Sequence, residues 1–477
     1  MTVVRGEPGT GFGTQVPLLI IGAGAAGLCA AIAASERGVE PVVIERDAVP
    51  RGSTALSAGL IPAAGTRFQR DKGIEDSAEL FAADITRKSH DEAEPALVRA
   101  VAENAGPTVE WLADTYGFPF SVVDDFNYSG HSALRMHGLP SRNGAELIDR
   151  LRAAAEARGV TIMGESVATT LYAHDDGAIG GIELTRGDGS RDRIGCGALV
   201  LACNGYGGNR ALVRELIPEM ADALYFGHPG NQGDAVQWGR ALGAGLAHLS
   251  GYQGHGSVAT PHNILVTWAV VMEGGFQVNA RGARFCDESR GYSEQAAQVL
   301  RQPGGFAFDI FDDRIAAIAR QFQDFRDAET AGAILNADTP QYLADQLGIP
   351  GATFMHEYDA LAAANGGPDR FGRVVTKRLN PPLHAVKVTG ALFHTQGGLI
   401  VDGGAHVLRP DGCPFPNLFA AGGAAAGVSG DKASGYLSGN GLLTATVLGR
   451  IAGRTATDVA ESERNKKNWC DNQFGSG

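Results

Sequence analysis

The sequence predicts an α/β fold in two parts: a parallel-sheet domain interrupted by an inserted α+β cap. Three observations carry this reading. An apolar strand, a glycine turn, a helix and a second strand follow one another between Val16 and Ile44. Apolar strands running into glycines return at 198–207 and at 417–423. Between them, residues 226–385 hold more turns and aromatic residues and lack a strand-helix-strand period.

The first unit is the most specific. Val16 to Ile21 is an apolar run suited to a buried parallel strand. Gly22-Ala-Gly24-Ala-Ala-Gly27 follows, then an Ala-rich helical stretch, then Pro41 to Ile44 ending at Glu45. Each part has a task in holding a dinucleotide. Gly22 permits the tight turn, Gly24 lets the backbone approach a pyrophosphate, and Gly27 lets the helix pack close to the strand. The helix N-terminus presents N–H groups to phosphate. Glu45 stands where an acid takes ribose hydroxyls, and its charge disfavours a 2′-phosphate.

Length and composition set the frame. At 477 residues, two or three domains are expected. A hydrophobic fraction of 44% and a charged fraction of 19% suit a globular enzyme. The net charge of −13 and the absence of Lys/Arg-rich runs argue against nucleic acid or an anionic membrane as partner. The six cysteines are scattered without metal-ligand spacing, so they are expected to be reduced thiols with no metal bound. No signal sequence and no membrane-spanning run is legible, which points to the cytoplasm. Residues 1 to 15 are expected to form a loose arm, and the polar tail from Glu461 is expected to fray.

Further along, Arg51 to Gly59 clusters small and hydroxyl residues that can press against a flat ring system. Residues 74 to 116 show helical spacing at Leu80, Phe81, Ile85, Val98, Val101, Val109 and Leu112. A helix over 143–158 starts at the cap residue Asn143, with Glu146 three positions on, and leads to a strand at Val160 to Met163. Alternation with Asp-Gly turn signals predicts an antiparallel meander over 167–201. A helix is expected at 233–243, and a last helix from Gly441 to Gly453 begins at a glycine-rich turn.

Four segments, Gly22 to Glu45, Ser53 to Gly59, Val200 to Asn209 and Phe419 to Gly449, together resemble the flavoprotein family of fumarate reductase, succinate dehydrogenase and 3-ketosteroid dehydrogenase. The resemblance implies a Rossmann-like FAD-binding domain, discontinuous over 1–225 and 386–477, with a cap (substrate) domain at 226–385. It places FAD contacts at Gly22, Gly24, Ala26, Gly27, Glu45, Arg46, Ser53, Thr54, Ser57, Ala58 and Gly59. Further contacts are implied at Val167, Ala202, Asn204, Gly205, Gly422, Gly423, Gly439 and Leu442. Members with covalent flavin keep a histidine in the loop that reads Gly52-Ser53-Thr54 here, so FAD is expected to be non-covalent.

The active-site positions narrow the resemblance. Ala283-Arg-Phe-Cys-Asp-Glu288 resembles the segment that carries the proton-donating arginine of fumarate reductases, yet that arginine's position is Tyr292. Their second substrate arginine falls at Tyr436, in Gly435-Tyr-Leu-Ser-Gly-Asn-Gly441. Both tyrosines match the ketosteroid dehydrogenase pattern. His255 and His394 fall near the carboxylate-binding histidines of fumarate reductases. The mixture resembles desaturases of the 4-oxocyclohexanecarboxylate type most in kind.

The implied chemistry is removal of two hydrogens beside a ketone. Tyr436 O–H and the Gly441 N–H would polarise the carbonyl. Tyr292 would take the α-proton, helped by a nearby cation such as Arg284 or Arg290, and a hydride would leave the β-carbon for flavin N5. Ser438 could donate a further hydrogen bond, and Tyr128 could assist Tyr292. His394, His255 and Arg135 are candidate substrate contacts; for Arg135 and Arg142, pairing with acids such as Asp124 and Asp125 is the plainer alternative. An external electron acceptor or O2 would reoxidise the flavin. Two rival readings remain: a dehydrogenase or reductase of di- or tricarboxylates, and an electron-transfer subunit without substrate chemistry.

Overall fold

In the computed structural model, the structure describes residues 1–9, 11–364 and 366–474, with side chains through 462. The apolar run forms strand Thr14–Ile21, whose inner residues Leu18, Leu19 and Ile20 are wholly buried. It pairs in parallel with Pro41–Ile44 on one side and with Arg191–Leu201 on the other. Thr161–Met163 and Pro414–Ala420 extend this parallel core at its two edges. The meander appears as Ser166–Ala173, Ile179–Arg186 and Arg191–Leu201, paired antiparallel in that order. A sheet covered by helices on its faces needs strands apolar throughout, and these have that character.

Helix Ala25–Ser35 is buried along nearly its whole length, wedged between the sheet and the last helix, Asn440–Phe474. Small residues make this close approach possible. A Cβ on Gly453 would sit 2.1 Å from the Ala30 carbonyl oxygen, a backbone atom that cannot turn aside. Gly453→Val is therefore expected to destabilise the protein by about 2 kcal/mol through overpacking. The check is a lower denaturant midpoint at unchanged slope.

The helical stretch at 74–116 is two helices, Ala78–Lys88 and Pro95–Tyr116, joined by a short turn. Asn143 caps helix Gly144–Ala157 through the Ala145 N–H at 2.7 Å. Glu146 does not close a capping box; it accepts from the Ser141 N–H and hydroxyl. Residues 1–15 are not a loose arm. Thr2–Arg5 adds a parallel edge strand to Ser166–Ala173, and Phe12 packs edge-on against Tyr172 at 5.7 Å. The last helix runs on through most of the tail expected to fray, while residues 475–477 and the Cys470 side chain lie outside the described residues.

The second sheet is mostly antiparallel. Its spine is the long strand Leu383–Thr395, flanked by Tyr252–Ala259 and Phe306–Asp312, with Phe276–Val278 beyond. A separate apolar cluster around Trp268, Phe311, Phe325 and Phe354 forms its core. Helix Asp234–Leu242 puts Ala235, Trp238 and Leu242 into the core of the first sheet, and strand Leu383–Thr395 crosses position 385 unbroken. No helix of the described residues is long and apolar enough to cross a membrane.

Candidate active site

A deep cleft, lined from both sides, lies between the two sheets. The glycine turn opens onto it. Gly22 has φ +105°, and a Cβ there would meet the Ala202 carbonyl oxygen at 2.4 Å. Gly24, the N-cap of helix Ala25–Ser35, brings no side-chain oxygen to the helix end, and the Ala25 N–H is taken by Thr54 Oγ1 at 3.1 Å. Glu45 is held by backbone N–H groups: Ala23 donates to Oε2 at 2.7 Å and Asp47 to Oε1 at 3.0 Å. Its carboxylate is thus fixed at the end of the second strand, facing the cleft.

Most of the residues implied to hold the cofactor line this cleft: Gly22, Gly24, Ala26, Glu45, Arg46, Ser53, Thr54, Ser57, Ala58, Gly59, Val167, Ala202, Asn204, Gly422, Gly423, Gly439 and Leu442. Two do not, and each has a packing reason. Gly27 lets the helix close on its own turn, since a Cβ would lie 1.8 Å from the Gly22 carbonyl oxygen. Gly205 stands behind the wall, where a Cβ would lie 1.9 Å from Thr395 Oγ1. The loop after Tyr225 adds contacts the sequence reading missed. Asn231 Nδ2 and the His228 N–H both donate to Ser53 Oγ, at 2.8 and 3.0 Å, and Asp234 pairs with Arg46 at 2.9 Å. No periodicity marks such a loop.

Deeper in the cleft, Tyr292 begins helix Tyr292–Leu300 and Tyr436 precedes helix Asn440–Phe474. Their rings lie 6.0 Å apart, both buried and both facing the cleft. The Gly441 N–H donates to the Tyr436 hydroxyl oxygen at 3.1 Å. Burial pushes the Tyr292 phenol up to about 12, opposed by hydrogen bonds from Ser438, Tyr436 and the Gly439 backbone. Burial and the neighbouring Tyr292 push Tyr436 well above its ordinary value. Tyr128 meets Tyr292 edge-on at 6.2 Å, and burial raises its phenol too.

The cation expected beside Tyr292 is not there. Arg284 is buried in the cap, bonded twice to Glu288 at 2.9 and 2.7 Å and paired with Asp369. Arg290 is exposed and faces Asp287. What covers Tyr292 is His255, stacked on its ring at 4.7 Å. The Ser257 N–H can only donate, so His255 Nδ1 accepts and Nε2 carries the proton. Burial lowers His255 to about 3 and His394 to about 4, so both rings are neutral at physiological pH.

His394 is oriented by a chain the sequence reading also missed. Asn440 Nδ2 donates to Ser429 Oγ, that hydroxyl donates to Gln396 Oε1, and Gln396 Nε2 donates to His394 Nδ1, at 3.0, 2.9 and 2.8 Å. His394 Nε2 is left as a donor.

Arg135 is not a cleft residue. Its guanidinium is fully buried, bonded to Asp76 at 3.0 and 2.9 Å and to Asp84 at 2.6 Å, and lies over the Phe81 ring. A cation engaged by two buried carboxylates has no valence left for a ligand. The acids Asp76 and Asp84 replace the expected Asp124 and Asp125; Arg142 does face Asp125, at 3.6 Å, and bonds Gln321.

The chain matches a family model described as FAD binding domain over residues 18–442. It is 31% identical over 94% of its length to a Shewanella frigidimarina protein named a probable fumarate reductase, covering 75% of that protein. This chain belongs to the FAD-binding fumarate reductase flavoprotein family. The family member urocanate reductase of Eggerthella lenta is 26% identical, covering 94% of this chain and 76% of that protein. Among solved structures, the open conformation of a flavocytochrome c3 fumarate reductase superposes with a TM-score of 0.79 at 29% identity, covering 94% of this chain and 79% of that one. A 3-ketosteroid-Δ4-(5α)-dehydrogenase from Rhodococcus jostii superposes with a TM-score of 0.73 at 25% identity, covering 95% of this chain and all of that one.

The family member described here is thus an FAD-dependent oxidoreductase. The residues present fit that cofactor: a glycine turn at a helix N-terminus for the pyrophosphate, Glu45 for ribose, and open backbone at Gly422–Gly423. The 3-10 turn Ser53–Leu56 that borders the cleft contains no histidine.

Proposed function

We propose that this flavoprotein desaturates a cyclic ketone between its α and β carbons. The observation that carries the reading is a pair of buried phenols, Tyr292 and Tyr436, facing the cleft with their rings 6.0 Å apart. Among the described residues, Arg46 is the one Lys or Arg in the cleft wall, and it is paired with Asp234. A dicarboxylate would find no guanidinium between the tyrosines.

The Gly441 N–H donates to the Tyr436 hydroxyl oxygen at 3.1 Å, so the two donors adjoin, and a ketone oxygen drawing the N–H away from the phenol would sit against both. A carbonyl oxygen placed there takes both donors, and the developing enolate is stabilised. Drawing the Tyr436 proton toward the substrate frees the Tyr292 oxygen to accept the α-proton. Tyr292 acts as the phenolate, its charge held beforehand by Ser438 and the Gly439 N–H, and becomes the neutral phenol when the α-proton arrives while the negative charge passes to the enolate oxygen. Bound FAD supplies the acceptor for the hydride lost from the β-carbon. Buried rings at His255, Trp268 and Tyr128 enclose Tyr292 and exclude water.

The reading fixes a pH dependence. Tyr292 must be deprotonated to act, and burial raises its pKa to about 12. Flavin reduction by saturating ketone is expected to accelerate by about tenfold per pH unit across the neutral to mildly alkaline range. A profile that is flat or falls with pH there would remove Tyr292 as the base. The function itself is tested by incubating the holoenzyme with cyclohexanone-type ketones and an artificial electron acceptor. The α,β-unsaturated ketone is the expected product by mass spectrometry; unchanged ketone alongside oxidised succinate would defeat the proposal.

A second reading, reduction of an alkene acid, draws on His255 and His394, which both face the cleft, and on the reductase names of the relatives. A 4-oxocyclohexanecarboxylate-like keto acid and a 3-ketosteroid both suit the carbonyl end of the cleft. They differ in what they bring to its other end.

A further inference from the structure

Beyond the tyrosines the cleft wall is built by the cap: Phe226, Leu265, Phe322 and Phe393, with Phe226 and Phe393 stacked at 4.6 Å. One acid, Asp324, interrupts this apolar wall, in the first turn of helix Gln323–Thr330. It makes no hydrogen bond and no ion pair among the described residues. The nearby cation Arg326 offsets its charge only in part. Arg326 is turned to Gln323 and to the Arg320 carbonyl, and Asp327 adds a like charge. Arg142 reaches the Phe322 ring at 5.6 Å but is engaged by Asp125 and Gln321. Burial, with Asp327, pushes the Asp324 carboxyl up to about 7, as expected for an acid lacking a partner.

Asp324 shares the cleft with the two tyrosines and stands two positions after Phe322. Three successive ring contacts separate Tyr292 from Phe322: Tyr292 to Tyr128 at 6.2 Å, Tyr128 to Phe126 at 5.0 Å, and Phe126 to Phe322 at 6.0 Å. A ring system with its carbonyl at Tyr436 that reaches along this wall to Phe322 would bring its far end to this acid.

We infer that the substrate is a cyclic ketone without a carboxylate, carrying a hydrogen-bond donor at the end remote from its carbonyl, and that Asp324 accepts from that donor. A hydroxyl or an ammonium group satisfies the acid's empty valence. Above about pH 7, where Asp324 is ionised, a carboxylate at that end would meet a like charge, with the nearby Arg142 and Arg326 already engaged by other partners. The inference rests on the ketone reading for the carbonyl end, and it separates the two candidate rings by charge.

The test is isothermal titration of the FAD-loaded protein with three decalones that differ only at the end remote from the carbonyl: hydroxyl, ammonium or carboxylate. The hydroxyl and ammonium ligands should bind at least about tenfold more tightly than the carboxylate. Asp324→Asn should erase the ammonium ligand's advantage, and Asp324→Lys should reverse the order in favour of the carboxylate. Equal binding of all three to the wild-type protein, or an order unchanged in Asp324→Lys, would overturn the inference. Bleaching of the flavin is read in the same samples. The expected binding order without any bleaching would overturn ketone oxidation and leave the role of Asp324 standing; bleaching by all three decalones with no preference would do the reverse.

Discussion

Tyr292→Phe protein should remain yellow with bound FAD while losing ketone-driven flavin reduction by about a hundredfold to ten-thousandfold, the usual contribution of a positioned general base. The substitution removes one oxygen and keeps the ring, so the stack on His255 and the edge contacts with Tyr128 and Trp268 survive. What is lost is the acceptor that Ser438, Tyr436 and the Gly439 N–H surround. Tyr436 would lose its partner across the cleft but keep the Gly441 N–H, so ketone binding should change far less than the rate. Anaerobic stopped-flow absorbance separates the two, since the limiting rate and the half-saturating ketone concentration come from one titration. An unaltered limiting rate would show that another group takes the α-proton.

Arg135→Ala should destabilise the protein by about 3–5 kcal/mol, because it strands two buried carboxylates. Asp76 and Asp84 both have fully buried side chains, and their attachments to Arg135 tie the start of helix Ala78–Lys88 to the strand Met136–Gly138 region. Arg135→Lys should recover part of the loss only, since an ammonium cannot span both acids with the geometry of a guanidinium. Denaturant unfolding checks this. A substrate clamp would behave otherwise: stability would hold and the Michaelis constant would climb. That outcome would return Arg135 to the active site.

The sequence made the cofactor half legible and the substrate half only at its tyrosines. Gly22, Gly24 and Glu45 act through local geometry, a turn and a strand end, and local geometry leaves spacing in the chain. Tyr292 and Tyr436 could be found because each has a fixed offset from a neighbouring motif. Phe226, Trp268 and the Phe322–Asp324 segment come from separate stretches and share no spacing; only the folded insertion brings them to one wall. Gln253 had a readable signal. It stands two positions before His255 on one strand, and both line the cleft, as period-two alternation requires. Arg135 and Arg284 illustrate the opposite error. Each sits near a promising motif, yet burial commits each to acids, and no sequence pattern distinguishes an arginine that binds a ligand from one that holds the core. Trp238 and Leu242 read as ordinary helix residues, and only packing assigns them to the first core.

The most direct measurement is the visible absorbance of the oxidised holoenzyme mixed anaerobically with a cyclohexanone-type ketone in one cell and with succinate in another. The arrangement of Tyr292, Tyr436 and the Gly441 N–H predicts rapid loss of the flavin band with the ketone and none with succinate. Bleaching by succinate while the ketone leaves the band intact would contradict it.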